Sequence, residues 1–368
     1  MDTRSFEEIE KAGWDAFCTN SPDAWFRHTS DFIKLALVLE EGNENHSFAI
    51  TNGEQLLAVV PLVSQTISDT QRREYALGGM TPAPYPALLA DLSPKERESV
   101  SKYIFEEIDR RAKEDDISCA RMFVDPLSDP IIEGGVRFNT LATYGFHDTS
   151  MATVCIQLSR SHEQILSGMS ERRQRYIAAA ERKRNCRVDI FDSDSITDGM
   201  YKEYQTLFFE AAGMTVGSKE RWQTTLEWIK NGFALLAIVR ASGTNELLAG
   251  HLVMFYKKRG YDVNSAIHPS QRNNHEVGMY MQWKTMLYMK EHGCTHYEIG
   301  WLWPPTISES VYSQKELAIA HSKSLFGKYI LPVFRGEKYY DMEYLRERRA
   351  ALTEQFIAHY GNKKNITE

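Results

Sequence analysis

Gly53-Glu-Gln-Leu-Leu-Ala-Val-Val-Pro-Leu-Val63 and Gly243-Thr-Asn-Glu-Leu-Leu-Ala-Gly-His-Leu-Val-Met-Phe255 decide how this chain reads. Each is a glycine turn running into an apolar segment, the pattern of a strand that enters a buried sheet from a hairpin. Another apolar segment precedes each, at residues 47–51 and 233–239. After each come a further strand, a long helix (95–113 and 277–291) and a short strand (118–124 and 296–300). One supersecondary plan is thus used twice. In both copies antiparallel strands precede the helix, without strict strand–helix alternation. The expected class is therefore α+β, with two tandem units of mixed, largely antiparallel sheet flanked by helices.

Working outward, the pattern breaks at residues 143–153, which sets an expected division into domains 1–150 and 151–368. A length of 368 residues, 42% of them hydrophobic, supplies apolar mass for two cores. The second half opens with a strand at 154–158 and a helix at 170–184 whose Tyr176, Ile177 and Ala180 share one side. Residues 197–231 read as two helices, and 341–360 as a C-terminal helix.

Charge and cysteine usage exclude several classes. Forty-three basic against 50 acidic residues leave a net charge of −7, so the surface as a whole is no polyanion binder and DNA is not an expected partner. No apolar run approaches the ~20 residues of a membrane-spanning helix. The N-terminus MDTRSFEEIEKAGWD lacks the features of an export signal, which gives a cytoplasmic expectation and leaves only peripheral membrane contact. Five scattered cysteines with no C-x-x-C pair read as reduced, buried thiols rather than metal ligands. His292 and His296 straddle a glycine turn, which removes the helical i, i+4 geometry of a zinc pair, so no metal is expected.

The basic residues that do exist are concentrated. Arg172, Arg173, Arg175, Arg182, Lys183, Arg184 and Arg187 form the densest cationic segment, and spacings of three and four set Arg172, Arg175 and Arg182 on adjoining helix rows. Such rows can meet the successive phosphates of an RNA stem or a nucleotide diphosphate. The plainer alternative is a solvated helix face. Trp301, Trp303, Pro304 and Pro305 form a rigid aromatic loop, suited either to roofing a cleft or to packing on a neighbouring helix.

Several strings together resemble the FemAB-like branch of the GNAT acyltransferase superfamily over residues 10–340. They are GEQLLAVVPL, the loop YALGGMTPAPYPALL, FVDP ending at Asp125-Pro126, the Tyr144-Gly-Phe146 corner and the helix SERRQRYIAAAERKRNCRV. The segment from Gly260 to Gly300 follows, and His321-Ser-Lys-Ser-Leu-Phe-Gly327 is similar to that family's F-K-x-x-F-G signature. Ser322 stands where the family has Phe, and Lys328 where a second glycine often follows. Residues 197–231 are too short for the coiled-coil arm of staphylococcal Fem ligases.

The resemblance implies two tandem GNAT-like domains and transfer of an aminoacyl or acyl group from an activated carrier to an amine of a cell-envelope precursor, peptide or amino sugar. It implies no tightly bound cofactor, with aminoacyl-tRNA or acyl-CoA as donor co-substrate. Lys323 would lie in the transfer cavity as a fixed cation, with Phe326 and Gly327 shaping its wall. Asp125 would hold or deprotonate the amine, the alternative being an Asp turn before proline. Arg172 and Arg175 would bind phosphate, and Tyr261, Asp262, Asn264, Asn273 and Asn274 would line the cavity. Acyl-CoA members bind pyrophosphate at a glycine-rich loop. Here Gln271-Arg-Asn-Asn-His-Glu-Val-Gly278 has one glycine and the acidic Glu276, which favours aminoacyl-tRNA over acyl-CoA. The rival expectations are an acyl-CoA-dependent enzyme and a non-catalytic ligand-binding module.

Overall fold

The computed structural model describes residues 1–77, 81–136, 138–302 and 313–360. The expected aromatic loop at Trp303–Pro305 lies outside them. The chain divides into two units, Met1–Ala152 with Trp301–Ser322 and Pro332–Glu368, and Thr153–Gly300 with Lys323–Leu331.

The first unit opens with β1 (Asp2–Ser5), α1 (Lys11–Asn20) and α2 (Ser30–Leu39), followed by the hairpin of β2 (Phe48–Asn52) and β3 (Gln55–Val60). Strand β2 pairs antiparallel with β1 and β3. Their apolar side chains Ala49 and Val59 pack with Trp14, Phe17 and Cys18 of α1. Strands β4 (Val63–Ile67) and β5 (Arg72–Ala76) continue into a second sheet, then α3 (Pro94–Glu114) leads to β6 (Ile117–Phe123). Helix α3 starts at a reciprocal cap: Ser93 accepts from the Glu96 N–H, Glu96 accepts from the Ser93 N–H, and Pro94 takes the first position, where its missing N–H costs nothing.

The second unit holds β7 (Met151–Gln157), α4 (Glu171–Lys183), β8 (Cys186–Phe191), α5 (Asp198–Ala212) and α6 (Lys219–Lys230). Next come β9 (Ala234–Ala241), β10 (Leu247–Tyr256), β11 (Arg259–Ile267), α7 (His275–Glu291), β12 (His296–Leu302) and β13 (Ile330–Val333); α8 (Gln314–Ser324), between the last two, belongs to the first unit up to Ser322. Its seven-stranded sheet runs β8-β9-β10-β11-β12-β7-β13. The first four strands are antiparallel neighbours, and β11 and β12 are parallel. Strand β9 is buried from Ala234 to Val239, which explains its unbroken apolar run.

The chain then returns. Strand β14 (Arg335–Tyr339) pairs antiparallel with β6, Arg335 opposite Phe123 and Tyr339 opposite Cys119, and α9 (Met342–Tyr360) follows. The sequence reading runs the second domain to 368, whereas residues 332–368 belong to the first unit. The reason is the edge of β6. All seven of its residues are buried, and its pairing with β5 on one side leaves backbone groups on the other that need a partner strand.

Candidate active site

In the second unit the geometry turns on where two strands part. The pairing of β11 with β12 covers Arg259, Gly260 and Tyr261 opposite His296, Tyr297 and Glu298, and both strands run on without facing partners. On its other edge β11 carries a bulge: Leu252 faces Asn264 and Val253 faces Asp262, so Val263 is the extra residue. The bulge sends two residues of alternate positions to opposite faces. Asn264 accepts from the hydroxyl of Tyr204 on α5, while Asp262 turns toward His251. The Tyr204 ring lies so close to β10 that a side chain at Gly250 would collide with it.

His251, on β10, is fully buried. Its Nε2 is 3.4 Å from Asp262 Oδ1, 3.4 Å from the Gln282 amide nitrogen on α7 and 3.4 Å from the Tyr297 hydroxyl on β12. Tyr297 donates to Gln282 Oε1 at 3.2 Å. The His251 Nδ1 is buried with no hydrogen-bond partner among the described residues. Burial foremost, then the charges of Asp262 and Glu298, pushes the Tyr297 phenol well above its ordinary pKa, so it stays a neutral donor. The Asp262 side chain retains 17% exposure.

Lys323 approaches the parting from the other face. Glu298 stands opposite Tyr261 and shares its face, and Gly300, two residues on, shares it too. The Lys323 ammonium lies over Gly300, where any Cβ would strike it; the glycine also has φ +99°, a backbone state that side chains disfavour. Thr153 donates to the Glu298 carboxylate and sits 2.9 Å from the Gly300 carbonyl oxygen. Phe326 is buried under the guanidinium of Arg173, 3.6 Å from its ring centre. Burial, aided by the neighbouring Arg172, lowers the Arg173 pKa to about 10. Phe326 and Gly327 line a cavity of about 260 Å³ whose walls include Ile156, Ile165, Arg160 and Lys328.

The residues expected to form the site are placed as follows. Lys323 is half-buried over Gly300, and Phe326 and Gly327 border a cavity. Asp262 and Asn264 face opposite sides of the bulge, and Tyr261 is buried. Arg172 and Arg175 are exposed, with Arg172 donating to the Tyr176 hydroxyl at 2.8 Å. In the loop before α7, Asn273 is exposed and Asn274 donates to Gln271. Glu276 is held by Lys183 at 2.6 Å, so the helix start faces a carboxylate already paired to the basic helix.

Asp125 lies in the first unit with 3% exposure, and its Oδ1 accepts the Leu127 N–H at 2.9 Å while the Ser128 N–H bonds its carbonyl. That is the turn-forming role that Asp-Pro sequences favour. Two residues were not singled out: His251, and Arg173, which the sequence reading named only as one of the basic segment. His251 has a legible signal, an imidazole in the middle of an apolar strand. Arg173 has none, because neighbours along a basic helix look alike until a partner for one of them is known. Among the described residues no three His, Cys, Asp or Glu side chains gather as a metal site, and no helix is long and apolar enough to cross a membrane.

Residues 170–302 match the family model of the acetyltransferase (GNAT) domain, so the second unit carries an acyltransferase domain of that superfamily. Over the whole chain the fold is similar to that of FemX, with a TM-score of 0.67 at 12% identity, covering 95% of this chain and 100% of FemX. It is also similar to the C-terminal domain of a putative lysylphosphatidylglycerol synthetase from Agrobacterium fabrum, with a TM-score of 0.55, 11% identity, and 95% and 96% of the two chains covered. A tandem GNAT protein from the clavulanic acid biosynthesis pathway aligns with a TM-score of 0.51 at 11% identity, covering 92% of this chain and 97% of that one. No curated protein matches the chain. The α+β architecture of two tandem GNAT-like units agrees with the sequence reading.

Proposed function

We propose that this chain is an N-acyltransferase that moves an aminoacyl group from aminoacyl-tRNA onto an amine of a cell-envelope precursor, peptide or amino sugar. The observation that carries the reading is the Lys323 ammonium held over Gly300 at the parting of two strands in a GNAT domain. A cation fixed there offsets the negative charge that grows on an acyl carbonyl under attack, and it needs no reorganisation at the moment of reaction. Arg172 and Arg175 present exposed guanidiniums to the carrier's phosphates, and Arg160 and Lys328 add charge beside the apolar cavity under Phe326. The fold similarity to FemX and to a putative lysylphosphatidylglycerol synthetase domain supports an aminoacyl group as cargo. The single-glycine loop with its paired Glu276 supports tRNA over CoA as carrier.

Incubating the full chain with aminoacyl-tRNA or with acetyl-CoA, each with nucleotide-linked peptide and amino-sugar acceptors, tests this by mass spectrometry of the products. The reading expects an amide from aminoacyl-tRNA. An amide formed only from acetyl-CoA overturns the donor, and no amide from either overturns transfer.

A further inference from the structure

The cluster around His251 leaves one buried polar atom without a hydrogen-bond partner among the described residues. A buried imidazole nitrogen without a partner has given up its hydrogen bond to water with nothing in return, and an aliphatic residue would suit an apolar strand better. The neighbours say which nitrogen carries the proton. Tyr297 spends its hydroxyl proton on Gln282 Oε1, so its oxygen meets His251 as an acceptor, and the Asp262 carboxylate accepts as well. Two acceptors against the single Gln282 amide nitrogen favour a protonated Nε2. The orphan Nδ1 is then a bare acceptor, which is easier to bury than an unbonded N–H.

Within this cluster His251 and Tyr297 are fully buried and Gln282 nearly so, whereas Asp262 keeps a route to solvent beside the bulge, where β11 leaves β12. From this we infer that Asp262 receives the proton of the acceptor ammonium and that His251 is its positioning residue, holding the carboxylate through Nε2–H. The inference rests on the transfer reading above. In the step, R–NH₃⁺ gives one proton to Asp262 and the freed lone pair attacks the acyl carbon. The C–N bond forms, and the bond from the acyl carbon to the carrier oxygen breaks with its electron pair. The carrier oxygen takes a second proton from the same nitrogen, and Asp262 passes the first to solvent. The sum is ammonium plus acyl ester giving amide, carrier alcohol and one proton.

Two substitutions separate positioning from packing. His251→Gln keeps an N–H donor near the place of Nε2, and His251→Leu keeps only the volume. Positioning expects kcat to fall at least about tenfold in His251→Leu with KM little changed, and to recover most of that in His251→Gln. A structural role expects the reverse order, since leucine suits the apolar strand and glutamine does not. Equal losses in both variants overturn the inference.

A second readout needs no substrate. Nitrogen-15 spectra of labelled histidine in the full chain should show His251 as the Nε2–H tautomer, and Asp262→Asn should shift its signals toward Nδ1–H. An Nδ1–H tautomer in the unaltered protein contradicts the pairing. If the unaltered protein transfers from no carrier, the transfer reading falls and Asp262's proton with it, while the histidine spectrum still decides the pairing.

Discussion

Each unit buries a polar cluster in its sheet, and the two are built differently. In the first, Glu74 of β5 is fully buried, 2.9 Å from Arg121 of β6 and 3.8 Å from Arg348 of α9. Glu337 of β14 lies 3.5 and 3.6 Å from the same two guanidiniums, and Tyr344 donates to Glu74 at 2.6 Å. Two carboxylates and two guanidiniums pair by charge, which sums to zero, although Glu74 Oε2, Arg121 Nε and Arg348 Nη1 are buried without hydrogen-bond partners among the described residues. In the second, His251, Gln282 and Tyr297 meet at long distances, one imidazole nitrogen has no partner, and the one carboxylate, Asp262, reaches solvent. Buried polarity by itself therefore says little about function. Charge balance says more: the first cluster's carboxylates are matched by guanidiniums, whereas the second sets a lone, partly exposed carboxylate against a neutral imidazole and so has capacity left for a cation or proton that arrives.

The largest effect that can break this contrast is on stability. Glu74→Ala leaves two guanidiniums in the sheet without that carboxylate and should cost about 3–5 kcal/mol in urea unfolding, the penalty for breaking a buried pair. His251→Leu should change stability by no more than about 1 kcal/mol in either direction, as replacement of buried polar groups by apolar ones often does. Similar losses in the two variants would erase the distinction. Next comes Gly300→Ala, which places a Cβ at a φ of +99° and against the Lys323 ammonium. Strain of this kind costs about 1–3 kcal/mol, and the displaced lysine should cut transfer further than the lost stability explains. Transfer rates falling only in step with the folded fraction would remove the glycine's link to the lysine.

The smallest effect lies in acid. Burial works to raise the Glu337 carboxyl, but Arg348 and Arg121 outweigh it and hold the group below its ordinary pKa. A depressed native pKa means that the contribution is present above the ordinary carboxylate range, about 4, and is lost as pH falls below it. Unfolding midpoints measured from pH 6 down to pH 2 should show this loss in the unaltered protein and less of it in Arg348→Met. An unchanged acid limb in that variant would detach Glu337 from the cluster.

Where the chemistry is local, the fold was legible. The turn at Gly53 sets up the β2–β3 hairpin, and Ser93, Pro94 and Glu96 fix the start of α3. The pairing of β14 with β6 was not legible, because two hundred residues separate them and nothing in Arg335–Tyr339 names its partner. The site divides in the same way. Lys323 and Phe326 stood out through a motif, but which arginine of α4 turns inward depends on Phe326, far along the chain. The Asp125 carboxylate closes its own turn, which the Asp-Pro dipeptide had offered as the alternative. His251 was in plain view in the very stretch that revealed the duplication, and only the register of β10 with β11 showed what it meets.

The central claim is that the ammonium over Gly300 stabilises charge during acyl transfer. The single-turnover rate of amide formation by Lys323→Ala, compared with the unaltered chain at equal folded fraction, tests it most directly. A loss of about 10²–10³-fold with the unfolding midpoint unchanged is the expected result. A rate equal to that of the unaltered chain would contradict the account.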